Sequence, residues 1–149
     1  MKTLIRYIQE KLVIKKNKHN YFPQTIEELR NIIEQRIKEE GNKVNLNDID
    51  VSNVTDMSYL FFETGFNGDI SEWDVSNVTN MSCIFWRCEE FNSDISNWDV
   101  SKVKDMSGMF FNCTKFNQDI SNWDVSNVKN KYNTFYKCPI EEKYKPKFK

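Results

Sequence analysis

The chain has 149 residues, enough for one domain with a sizeable core, and its 21 Lys+Arg against 22 Asp+Glu leave a net charge of −1. That balance hides a segregation: residues 1–44 carry net +4, residues 45–138 net −7 and residues 139–149 net +2. An acidic central body argues against nucleic-acid contact there, and no apolar run approaches the ~20 residues of a membrane span.

In chain order, Leu4, Ile5, Ile8 and Leu12 have helical spacing and predict an amphipathic helix over 3–14. Arg6, Glu10 and Lys11 interrupt the apolar stretch a signal peptide needs, so the expected location is cytoplasmic. A polar, basic stretch from Lys15 ends at Pro23. A second helix follows, with Thr25 and Glu28 as a capping box. Ile26, Leu29, Ile33 and Ile37 make its apolar face, and Gly41 stops it. Residues 1–44 therefore read as an N-terminal helical cap.

From residue 45 the chain repeats. The phrase DISxWDVSNVxxM recurs with Trp73, Trp98 and Trp123 spaced by twenty-five residues. A fixed period in this range is the signature of stacked repeats. Aligned turns begin DVSNV at Asp50, DVSNV at Asp74, DVSKV at Asp99 and DVSNV at Asp124. The first turn is one residue short near Gly65. Within a turn, Ile95-x-x-Trp98-x-Val100 has the LxxLxL spacing of a leucine-rich-repeat strand. From Val103 the spacing becomes three, through Met106, Met109 and Cys113, as in a short helix or 3₁₀ segment. The expected fold class is α/β: a short leucine-rich-repeat-like solenoid over 45–138, about four turns of short strand plus short helix. Residues 139–149 form a tail or cap. Altered end turns favour a monomer.

The tryptophans point inward by strand alternation and are expected to build the core, stacked as large aromatic area. Trp86, with Phe62, Phe111 and Tyr136 at equivalent positions, borders the helix side. It is a candidate partner anchor, rim packing being the alternative. Asp50, Asp74, Asp99 and Asp124 are expected to face outward, either as hydrogen-bonded corners or as a ligand-binding acidic face, with Lys102 on the same face. Asp69, Asp94 and Asp119 form a second such column. No calcium-binding motif accompanies them. Cys88, Cys113 and Cys138 share one repeat position and read as buried thiols rather than a disulfide or metal site. The single histidine, His19, has no nucleophile placed beside it by sequence, and there is no phosphate loop. No catalytic residue, cofactor or metal is expected. The basic tail KYKPKFK and Lys15, Lys16 and Lys18 read as solvated stretches able to touch an acidic partner.

The phrases DISEWDVSNVTNMS, DISNWDVSKVKDMSGMF and FNQDISNWDVSNV resemble the repeats of the BspA-like leucine-rich-repeat family, the type described in mycoplasma lipoproteins. The segment from Thr25 to Phe61 is similar to that of small members from gut bacteria and their mobile elements or phages, and CPIEEKYKPKFK to the family's terminal segment. The resemblance implies a complete, small stand-alone member: a non-enzymatic protein-binding module with no catalytic residues to carry over. An inhibitor of a host defence or regulatory protein, encoded by a phage or mobile element, is the alternative, its acidic body occupying a basic groove. Surface adhesion, the role of larger members, is a further one.

Overall fold

The computed structural model describes residues 18–149; the helix expected over 3–14 lies outside the described residues, as do Lys15 and Lys16. The first described segment lays Tyr21 alongside Ile49 in a parallel bridge. The Asp50 N–H donates to the Tyr21 carbonyl at 2.8 Å.

Helix α1 (Ile26–Glu40) forms where the capping signals place it. The Thr25 hydroxyl accepts from the Glu28 N–H at 3.2 Å, and the Glu28 carboxylate accepts from the Gln24 N–H at 2.7 Å. The reciprocal bond thus lands one residue further out than in a standard capping box. Gly41, at φ +88°, closes the helix with its N–H on the Ile37 carbonyl. Leu29 and Ile33 are buried against the first turn of the repeat. Arg36 fastens the other side. It pairs with Glu40 and Asp48 and donates to the Asn45 carbonyl at 3.0 Å. Burial pushes the Asp48 carboxyl up, but hydrogen bonds from Asn20 and Arg36 more than offset it and hold it below its ordinary value.

The body stacks four turns, aligned as residues 45–68, 69–93, 94–118 and 119–138. It is not the α/β solenoid expected from the spacing. Among the described residues α1 is the one α-helix, with a single 3₁₀ turn at Glu142–Tyr144, and the turns meet through isolated parallel bridges such as Asp56 with Asn80 and Asn80 with Asp105.

Two local causes prevent regular structure. In the presumed strand, the Trp98 N–H bonds the Ile95 carbonyl at 3.1 Å, the Ser101 N–H bonds the Asp99 carboxylate at 3.0 Å and the Val103 N–H bonds the Val100 carbonyl at 2.9 Å. Local turns consume the amides a strand ladder needs. In the presumed helix, Gly108 and Asn112 sit at φ +60° and +56°. The same positions in other turns are held at positive φ by Tyr59 and Glu63, Cys83 and Arg87, and Asn133 and Lys137. An α-helix cannot pass through such residues.

What replaces the helix is a one-way ladder. The N–H groups of Met106, Gly108, Phe110 and Asn112 donate to the carbonyls of Asn130, Tyr132, Thr134 and Tyr136 in the next turn, at 2.8–2.9 Å. Between them, the Met109, Phe111 and Cys113 N–H groups bond three residues back within their own turn. The pattern repeats between every pair of turns, for example from Phe61 to Ile84 and from Phe85 to Met109. Along this segment the linking donors point toward the C-terminal end of the stack, whereas just before it the Thr79, Lys104 and Lys129 N–H groups donate back to the carbonyls of Thr55, Thr79 and Lys104.

Inside, side chains stack in columns. Phe61, Phe85, Phe110 and Phe135 follow each other at 5.6 Å between ring centroids. Trp73, Trp98 and Trp123 do so at 6.4 and 6.5 Å and nearly parallel. As expected, the three indoles are core. Their Nε1–H groups donate to the carbonyls of Leu46, Ile70 and Ile95, so the polar edge of each ring is satisfied. Burying ~200 Å² per indole at ~25 cal/mol/Å² gives an upper bound of about 5 kcal/mol for each. The shortened first turn closes at Gly68, where an added Cβ would lie 2.0 Å from the Val44 carbonyl.

Candidate interaction surface

Three polar columns run down the outside of the stack. In the first, the carboxylates of Asp50, Asp74, Asp99 and Asp124 accept from the N–H of Ser52, Ser76, Ser101 and Ser126 at 3.0–3.1 Å. Asp74, Asp99 and Asp124 are exposed and Asp50 is half-buried. Hydrogen bonds from Ser52, Ser101 and Ser126 hold Asp50, Asp99 and Asp124 below the usual carboxylate range. One oxygen of each carboxylate thus fixes a corner. Lys102 bridges turns from this face, its ammonium donating to Asn77 Oδ1 at 2.9 Å. Asp69, Asp94 and Asp119 cap Ser71, Ser96 and Ser121 in the same manner.

The third column was not read from the sequence. Asp56, Asn80, Asp105 and Asn130 accept from the N–H two residues on. Its signal is an acid or amide two residues before Ser in TDMS, TNMS and KDMS. Alternation of Asp and Asn avoids stacked like charges, and Asn130 Nδ2 donates to Asp105 Oδ2 at 3.1 Å.

The thiols are consumed similarly. Cys88 and Cys113 are fully buried, and their Sγ–H groups donate to the Phe61 and Phe85 carbonyls at 2.7 and 2.8 Å. Burial pushes Cys88 and Cys138 up to about 11 and Cys113 further up. Such thiols carry almost no thiolate at neutral pH, so they pack and do not attack. All four cysteines are free.

One outer edge is aromatic. Tyr59 meets Phe62 at 5.5 Å, Phe62 faces Trp86 at 6.4 Å, Trp86 stacks on Phe111 at 3.7 Å and Phe111 on Tyr136 at 4.9 Å. The column spans all four turns. Its ends are open, with Tyr59 50%, Phe62 38% and Tyr136 48% exposed. Trp86, the residue singled out by sequence, is half-buried in the middle. Its indole lies against Gly108, where an added Cβ would come within 2.7 Å of the ring. Sequence reading identified the Trp86 position and its equivalents but missed Tyr59, which joins the column from the neighbouring position. Beside it lie the exposed pair Arg87–Glu63 at 2.9 Å and a cleft of about 390 Å³ lined by Glu63, Arg87, Glu89 and Glu90.

Among the described residues no three His, Cys, Asp or Glu side chains group as metal ligands, and no helix is long and apolar enough to cross a membrane. The geometry defines a stacked-repeat protein whose polar columns serve its own corners and whose aromatic edge faces outward. Residues 27–146 match the family described as "Mycoplasma protein of unknown function, DUF285", and the chain belongs to that family. Comparison with curated proteins and with solved structures gives no match.

Proposed function

We propose that the chain is a member of the BspA-like repeat group and works as a non-enzymatic protein-interaction module. The observation that carries this reading is the continuous aromatic edge from Tyr59 to Tyr136, with its rings open at both ends. Aromatic side chains presented on a rigid frame bury large area at low entropic cost, which is what a protein contact requires. The partner is a protein met in the bacterial or host cytoplasm, and the module acts as a monomer.

The test is affinity purification from the native host with the wild-type chain and a Phe62→Ser/Tyr136→Ser variant. Both positions are exposed, and an unchanged urea midpoint of the variant checks that the fold is retained. The wild type captures a stoichiometric protein and the variant loses it. Equal capture by both would overturn the assignment of this edge.

A further inference from the structure

The one-way ladder leaves its last turn with unused donors. The N–H groups of Lys131, Asn133, Phe135 and Lys137 occupy the positions of Met106, Gly108, Phe110 and Asn112 one turn earlier. Among the described residues, no acceptor bonds any of the four. Residues 139–149 make only part of a further turn. The Ile120 N–H reaches the Tyr144 carbonyl at 3.0 Å, and Phe148 then comes against Phe135 at 6.4 Å.

This end is also basic. Residues 129–149 hold seven lysines and two glutamates. Glu141 and Glu142 are paired with Lys143 and Lys145 at 3.0 and 2.7 Å. Lys131 and Lys137, which bracket the donor row, are exposed. Lys131 Nζ donates to the Lys149 carbonyl at 2.7 Å. A cleft of about 510 Å³ opens beside the row, lined by Phe135, Lys143, Lys145, Lys147 and Phe148 among others.

The chemistry of the row restricts its occupant. A β-strand added along 131–137 would bring its own N–H groups against N–H groups, because this row offers donors without the alternating acceptors of a sheet; the Lys129 carbonyl, whose equivalents at Thr79 and Lys104 accept from the following turn, lies just before it. A second copy would have to present the carbonyls of Asp56, Ser58, Leu60 and Phe62. Helix α1 closes that end, with Leu29 and Ile33 buried and Arg30 donating to the Ser58 carbonyl at 3.4 Å. An occupant rich in acceptors and negatively charged satisfies both the row and the lysines. Aligned peptide dipoles add to the attraction, as at a helix N-terminus.

We propose that this end of the stack binds an extended acidic segment of a partner protein, whose carboxylates accept from the amides of Lys131, Asn133, Phe135 and Lys137. The proposal deepens the interaction reading and rests on it, but its probe is a defined peptide, so it can fail while the aromatic edge still captures a partner.

The experiment is residue-resolved amide hydrogen exchange on the full chain, with and without deca-glutamate at low salt. Deca-glutamine and a short single-stranded oligothymidylate serve as controls. Deca-glutamate is expected to slow exchange at the four amides about tenfold and leave Met106, Gly108, Phe110 and Asn112 unchanged. A Lys131→Glu/Lys137→Glu variant, its fold confirmed by the same unchanged amides, should bind about tenfold more weakly. Peptide binding without protection of the four amides would overturn the proposal, as would equal protection by deca-glutamine or the oligonucleotide.

Discussion

Replacing Gly108 by alanine should destabilise the fold by about 2–4 kcal/mol through two separable effects. The residue sits at φ +60°, where a side chain costs roughly 1–2 kcal/mol relative to glycine. A Cβ there would also stand 2.7 Å from two carbons of the Trp86 indole and 3.1 Å from the Cys83 sulfur, so the ring must move. Moving it breaks the Trp86–Phe111 stack, which has 3.7 Å between centroids and is worth about 0.5–1.5 kcal/mol beyond its area. The neighbouring columns show that the ring, rather than the backbone alone, demands glycine. Phe62 is followed at this position by Cys83 and Phe111 by Asn133, both at positive φ with a Cβ. Only the larger indole is followed by glycine. In a Trp86→Phe background, Gly108→Ala should therefore lose only the backbone part, about 1–2 kcal/mol. Urea unfolding followed by the fluorescence of the remaining tryptophans measures all four corners of the cycle. An equal loss in both backgrounds would refute the steric reasoning. A loss under about 0.5 kcal/mol in the wild type would refute the backbone reasoning as well.

Trp98→Phe removes the indole donor from the Ile70 carbonyl, which keeps only the Trp73 N–H at 3.2 Å, and leaves unfilled space in the core; it should cost about 1–3 kcal/mol in the same assay, a value under about 0.5 kcal/mol counting against the indole's role. Asp48, Asp50, Asp69, Asp99, Asp119 and Asp124 are held below their ordinary value of 3.8. The unfolded state then binds protons first, so stability is present above about pH 4 and is lost as pH falls through the folded values. A urea midpoint that stays flat from pH 6 to pH 2 contradicts this. At the other extreme, Cys88 rises from 9.0 to about 11. Its contribution is present below pH 9 and lost as pH rises through about 11, roughly 2–3 kcal/mol for two units at a fully buried site. Cys88→Ala should flatten that part of the alkaline unfolding curve.

The stack and its core were legible because periodicity reports what each turn shares. Trp73, Trp98 and Trp123 could be placed inward before any geometry was known, and Thr25, Glu28 and Gly41 bounded α1. The backbone between them was not legible. Tyr59, Glu63, Cys83, Arg87 and Lys137 adopt positive φ, yet none is a residue type that announces it. In the first four it accompanies the linking N–H bonds to the next turn, and in Lys137 it is kept by the turn's own closure, the Cys138 N–H on the Phe135 carbonyl. A three-residue apolar spacing is equally compatible with a 3₁₀ segment, so the spacing alone could not separate the two. At the candidate surface, Trp86 was visible as the residue that differs from its equivalents. The tightness of its seat over Gly108 was not, because that depends on a residue twenty-two positions later.

The same ladder explains where specificity can be written. Residues of the repeated phrase are occupied by the stack: aspartates hold serine amides, indoles hold carbonyls, and thiols do the same from inside. Changing any of them for a new contact costs stability first. The outer positions carry no such duty. Glu63, Arg87, Asn112 and Lys137 share one backbone conformation and one N–H ladder position but differ in charge. Their conformation comes from main-chain bonds to the following turn, or in Lys137 from the turn's own closure, and does not depend on the side chain. The pair Arg87–Glu63 is more than 45% exposed on both sides and contributes little to folding. A surface built on such positions can change its chemistry while the ladder beneath it keeps the same geometry. The aromatic edge adjoins that variable column, so a partner seated on the rings would read the charges beside them.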